Sequence, residues 1–238
     1  MNHHLNSEQL ARFHSLGYLD CGRVMSDAAV TELRDIADRF AAEAQAGSIG
    51  LSTEPDQSYT LFTPVFTRNA RYKELVLQHA VILDIVESVL GPVFRLVEDQ
   101  LFYKPPRYGG ALALHQDNVY YGYDEPKIVT CWIALDDATP ENGCLKILPG
   151  SHRQEVRHDP IPGSIVVRAE VDESQLIDVP AAAGTLIVFD GLLVHGSGPN
   201  TTDRPRRVAN MVAIVPTADG TFRKFDDTLN PYLRGAPA

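Results

Sequence analysis

The chain has 238 residues, 44% of them hydrophobic, with 17 Gly and 16 Pro. That is enough for one large domain with a sizeable core, and it excludes a disordered or repeat-built chain. The formal net charge of −10 excludes a broad basic surface for nucleic acid or anionic membrane.

Met1 to Leu10 lacks the basic start and apolar run of a signal peptide, and no later apolar run spans a bilayer, so the expected location is cytoplasmic. The cysteines Cys21, Cys131 and Cys144 cannot all pair and form no CxxC, which leaves free thiols as the expectation. The partner expected is a small molecule, with neither nucleic acid nor membrane; composition says nothing about oligomeric state.

Taken in order, Leu10, Phe13 and Leu16 recur at helical spacing after Ser7, which predicts a capped helix ending before Gly17. A second helix, capped by Ser26, follows from Val30, Leu33, Ile36, Ala37, Phe40 and Ala41, with Gly47 near its end. Residues 50–69 have no clear period. With Tyr59, Phe62 and Phe66 they form a candidate lid. Leu75, Ala80, Leu83, Val86 and Leu90 predict one helical stretch from Arg71 to the stop at Gly91-Pro92.

Past Gly91 the pattern changes to short β-rich runs between turns. Strands are expected near Phe94 to Tyr103, Leu112 to His115, Ile128 to Leu135, Leu145 to Leu148, Ile165 to Val167, Thr185 to Asp190 and Val208 to Val215. The expected whole is a single domain over 1–238. A helical part, about 1–90, packs on a mainly antiparallel β core of about 91–220.

His115 and Asp117 flank Gln116, so on extended backbone their side chains leave the same face and reach one ion. His195 follows the strand ending at Asp190 and precedes Gly196-Ser197-Gly198, which makes it the best third ligand. His152, in the turn Pro149-Gly150-Ser151-His152, is the rival. Two imidazoles and one carboxylate leave three open positions on octahedral iron(II), and the same set also suits zinc with one water. Residues alone therefore leave a zinc hydrolase or isomerase, and a non-catalytic binding module, as alternatives.

Five short motifs stand in one order: Lys104-Pro105-Pro106, His115-Gln116-Asp117, Asn142-Gly143-Cys144-Leu145, Pro149-Gly150-Ser151-His152 and His195-Gly196-Ser197-Gly198. With an arginine eleven residues after the second histidine (206 − 195 = 11), the chain resembles the phytanoyl-CoA dioxygenase family of iron(II)/2-oxoglutarate oxygenases. The resemblance implies a double-stranded β-helix (a cupin-like jelly roll) that binds Fe(II), 2-oxoglutarate and dioxygen. It implies hydroxylation of a small-molecule metabolite with release of succinate and carbon dioxide.

The same resemblance implies that His115, Asp117 and His195 are the catalytic metal ligands and that Arg206 pairs with the distal carboxylate of 2-oxoglutarate. Ser197 is expected to assist Arg206, Gln100 and Trp132 to contact the cosubstrate, and Arg207 to face away. Lys104 is read as a packing or pocket residue. Asn118, Tyr120 and Tyr121 directly follow the metal motif and are the expected substrate contacts. Retention of Asp117, which related halogenating oxygenases replace by a small residue, implies oxygenation rather than chlorination.

Overall fold

The computed structural model describes residues 3–45, 60–107, 109–122, 127–161, 167–215 and 226–235. Its helices are α1 (Ser7–Leu16), α2 (Asp27–Gln45), α3 (Ala70–Tyr72), α4 (Ala80–Leu90) and α5 (Asn118–Tyr121). Its strands begin with β1 (Tyr18–Arg23), β2 (Thr60–Phe62), β3 (Phe94–Lys104), β4 (Leu112–His115), β5 (Ile128–Ala134), β6 (Leu145–Ile147) and β7 (His158–Pro160). They continue with β8 (Val167–Ala169), β9 (Ile177–Val179), β10 (Thr185–Asp190), β11 (His195–Ser197), β12 (Arg206–Ile214) and β13 (Tyr232–Arg234).

Two antiparallel sheets make the double-stranded β-helix. The larger runs β1-β10-β5-β12-β3-β13, with β2 also on β3, and the smaller runs β4-β11-β6-β9. Alternation along the large sheet divides its side chains between two cores. Leu101, Cys131, Leu186, Ala209 and Met211 point to α2 and α4 and join Leu33, Ile36 and Val86 in one cluster. Phe102, Trp132, Ile187, Phe189 and Val208 point the other way and meet Leu145 and Ile147 of the small sheet. The site described below opens within this second layer.

Several expectations need correction. Asn6, not Ser7, caps α1, in a reciprocal capping box with Gln9. The single helix expected over Arg71 to Leu90 is broken at Gln78-His79, where His79 has extended backbone. Before that break a π-helical turn, Lys73–Leu77, buries Leu75, Val76 and Leu77 together, three consecutive residues that a regular α-helix would fan out over most of its circumference. Strand β1 was not expected at all: its Tyr18-Leu19-Asp20 lacks alternation, and it exists because it pairs with β10.

In the candidate lid, 50–59 lie outside the described residues. Phe62 and Phe66 are core residues, while Leu61 and Thr63 face the cavity. Of the strand expected at Ile165 to Val167, the described part begins β8 at Val167, and 165–166 lie outside the described residues.

Candidate metal centre and cavity

His115, Asp117 and His195 come together because β4 and β11 are antiparallel neighbours in which His195 stands opposite His115. Asp117 follows two residues after His115, where the chain turns into α5. Each imidazole Nδ1 faces a backbone carbonyl two residues earlier, His115 to Ala113 O at 2.8 Å and His195 to Leu193 O at 2.9 Å. A ring N–H donated there leaves each Nε2 with its lone pair toward the centre.

Both Nε2 atoms lie 3.5 Å from Asp117 Oδ1. Thr130 Oγ1 donates to the other carboxylate oxygen, Oδ2, at 2.5 Å. Burial opposes ionisation of Asp117, but the imidazoles of His195 and His115 and the Thr130 hydroxyl more than offset it and hold the carboxyl below its ordinary value. Burial pushes His195 down to about 4, with a smaller contribution from His115. Two imidazoles and a carboxylate thus converge at the metal-ligating spacing.

Gln116, between His115 and Asp117, holds this segment in place. Gln116 Nε2 donates to Gln154 O at 2.9 Å and Leu192 O at 2.6 Å, and its Oε1 accepts from Val156 N at 2.9 Å. Gln116 N donates to His158 Nε2 at 3.1 Å. The segment is therefore tied to the loop that leads to His195. Sequence reasoning passed over Gln116 and His158, since neither carries a motif of its own. His152, the rival ligand, lies elsewhere, with its Nε2 3.1 Å from His14 O at the end of α1.

Beside the triad is a cavity of about 350 Å³. At one end Arg206 is 3% exposed, its Nε has no hydrogen-bond partner, and Nη2 reaches Ser197 Oγ at 3.3 Å. Among the described residues it forms no ion pair. Burial lowers it to about 10, still a cation at neutral pH. A buried guanidinium with an orphaned donor fits an incoming carboxylate.

Lys104, opposite Arg206 on β3, is 1% exposed and donates from Nζ to Ser197 Oγ at 2.8 Å and Gly198 O at 2.5 Å. Burial and Arg206 lower it to about 6. Lys104 thus fixes the hydroxyl that serves Arg206, a role its residue type did not announce. Gly143 closes this end in left-handed backbone, where a Cβ would stand 2.3 Å from Gly198 O. Arg207 turns to the opposite face, onto Asp136 and Asp38 of α2.

Gln100 and Trp132 line the cavity in one row, both in register with Asn210. Tyr120 and Tyr121 line it as well; the Tyr120 ring meets His115 edge-on at 5.5 Å. Asn118 does not line the cavity: it is buried, and its Nδ2 donates to Glu155 at 2.9 Å. Its amide is thus engaged in a hydrogen bond that holds α5. Glu98, also overlooked, reaches the cavity wall from β3, where Oε1 accepts from Gln100 Nε2 at 2.6 Å and Tyr121 OH at 2.5 Å. Desolvation, with Asp117 and Asp99 nearby, pushes its carboxyl up to about 7.

A two-histidine, one-carboxylate centre at the mouth of a double-stranded β-helix, beside a buried arginine, is the architecture of a non-haem iron(II) oxygenase. The chain belongs to the phytanoyl-CoA dioxygenase (PhyH) family of iron(II)/2-oxoglutarate-dependent oxygenases, whose profile matches residues 13–208. It is 32% identical over 216 residues to the methylphosphonate hydroxylase of Gimesia maris, covering 87% of this chain and 80% of that protein. With the phytanoyl-CoA dioxygenase domain-containing proteins of Caenorhabditis elegans and Bos taurus the alignment spans only 43% and 50% of their length.

Among solved structures, the non-haem monooxygenase ThoJ is similar with a TM-score of 0.78 and 26% identity, covering 96% of this chain and 84% of that one. EvdO2 of Micromonospora carbonacea var. aurantiaca, solved with 2-oxoglutarate, has a TM-score of 0.68 at 25% identity, over 91% and 95% of the two chains.

Proposed function

We propose that this protein hydroxylates a small-molecule metabolite, with iron(II) held by His115 Nε2, His195 Nε2 and Asp117 Oδ1 and with 2-oxoglutarate anchored through its distal carboxylate by Arg206 and Ser197. The observation that carries the reading is the buried Arg206 with its orphaned Nε, at one end of the cavity that the triad also lines. A zinc hydrolase has no use for such a group. When bound, iron(II) with 2-oxoglutarate and dioxygen supplies an oxidant for a C–H bond, giving succinate and carbon dioxide.

The chain's own residues prepare that chemistry. The carbonyls of Ala113 and Leu193 fix the imidazole tautomers, Thr130 aims Asp117, and Lys104 orients Ser197 toward Arg206. Gln100 and Trp132 flank the cosubstrate path, and Tyr120 and Tyr121 meet the substrate. The Asp117 carboxylate fills the position a halide would need, so oxygenation rather than chlorination is the outcome.

We also read the chain as one domain, because α2 and α4 share a core with the large sheet. Among the described residues no helix is long and apolar enough to cross a membrane. The free thiols Cys21, Cys131 and Cys144 suit the reducing cytoplasm.

The test is anaerobic titration of the iron(II) protein with 2-oxoglutarate, followed by its charge-transfer absorbance, then admission of oxygen and assay for succinate. A saturable band and iron-dependent succinate are expected. Absence of both sinks the proposal.

A further inference from the structure

The reaction assigned above uses the triad and the Arg206 end of the cavity, but it gives Glu98 nothing to do. Alternation along β3 puts Glu98, Gln100 and Phe102 on the cavity wall, with Lys104 next on that face. Lys104 and Glu98 are six positions apart (104 − 98 = 6), about 20 Å along an extended strand. The cosubstrate anchor at the end of β3 and the carboxylate near its middle are therefore well separated along one strand.

Register fixes the level of Glu98. Val212 of β12 pairs with Glu98 on one side and with Thr130 on the other, and Thr130 holds Asp117. Glu98 stands in the row of Thr130, the residue that holds Asp117, two strand spacings away or roughly 10 Å. A molecule presenting a carbon to the metal would reach it with its far end.

The carboxylate is held and half used. Gln100 and Tyr121 both donate to Oε1, while among the described residues no donor reaches Oε2. Asn210 Nδ2 approaches Gln100 Oε1 at 3.4 Å, extending the row behind it. Besides the imidazoles of the triad, Arg206 is the only basic side chain among the described lining residues. The two charges of iron(II) and the one of Arg206 balance Asp117 and the two carboxylates of 2-oxoglutarate. Among the described lining residues, Glu98 is then the carboxylate left without a counter-charge.

We infer that Glu98 is the substrate-recognising carboxylate of this cavity and that the substrate carries a basic amine, its ammonium bonded to Oε2 beside the Tyr121 ring. The inference deepens the proposed function and rests on it for the identity of the reaction. An ammonium would supply the donor that Oε2 lacks, and aromatic faces at Tyr120, Tyr121 and Trp132 suit a cation. An anionic substrate such as a phosphonate would meet repulsion at this wall, which separates this chain's substrate class from the one named for the Gimesia relative.

The test is a matched series of cyclohexylammonium, cyclohexanol and cyclohexanecarboxylate, titrated by ligand-observed NMR into the zinc-loaded protein with 2-oxoglutarate and into E98Q. Charge-assisted bonding predicts that the amine binds about tenfold or more tighter than the alcohol, that the carboxylate binds weakest, and that E98Q brings the amine down to the alcohol's affinity. Equal affinity for the three probes, no amine binding, or amine binding unaffected by E98Q would overturn it. The charge-transfer band of iron(II) and 2-oxoglutarate, measured in parallel on both proteins, reports separately on the proposed reaction and on folding of the variant.

Discussion

His195 lies directly across the β4–β11 pair from His115, and each ring gives its Nδ1 to a carbonyl two residues earlier in the chain. The two ligands are thus oriented by the same backbone device. Asp117 depends on a different one, a single hydroxyl from Thr130 on the facing sheet.

That difference makes Thr130→Val informative. Loss of the hydroxyl frees Asp117 to rotate, and metal affinity is expected to fall by about 10–100-fold with the fold intact. Competition with a chromophoric chelator reads the change. Unaltered metal affinity in T130V would show that the hydroxyl is not positioning the ligand.

Gln116→Leu removes the clamp between the ligands. It leaves Gln154 O, Leu192 O and Val156 N without their partner, so a loss of about 3 kcal/mol in stability is expected from buried unsatisfied groups. Denaturant unfolding of the metal-free protein measures it. A change below about 1 kcal/mol would mean that water replaces the amide at low cost.

At the other end of the cavity, Arg206→Ala is expected to weaken 2-oxoglutarate by about 100-fold or more while metal affinity stays as it was, since a buried charged partner is lost. Lys104→Met, which releases Ser197, is expected to weaken the cosubstrate in the same direction but less. Retention of full cosubstrate affinity in R206A would remove Arg206 from the anchor.

Glu98 carries a cost in the empty cavity. Its folded pKa is raised from 4.5 to about 7, so the folded state holds the proton more tightly than the unfolded chain. Stability is therefore lost as pH rises between these two values, and E98Q escapes the loss. Because the side chain opens on the cavity, where solvent screens it, the expected gain for E98Q at pH 8 is about 1–2 kcal/mol, shrinking to nothing near pH 4.5. Parallel unfolding curves of metal-free wild type and E98Q check the sign, and a pH-independent difference would contradict it.

The clustering of His115, Asp117 and His195 was legible in the sequence because a two-residue spacing on a strand puts His115 and Asp117 on one face, and because His195 sits between a strand and a glycine-rich turn. Arg206 needed the family spacing as well. The helices and the long strands were legible from their periods.

What the tertiary structure decided was everything that depends on pairing across the sheets. Strand β1 has no pattern of its own and exists through β10. Asn118 follows the metal motif yet bonds to Glu155 instead of lining the cavity. Lys104 serves Ser197, and Glu98 comes level with Thr130 only through their shared neighbour on β12. A local sequence records which face a side chain leaves from, whereas burial, register and the partner it meets are properties of strands far apart in the chain.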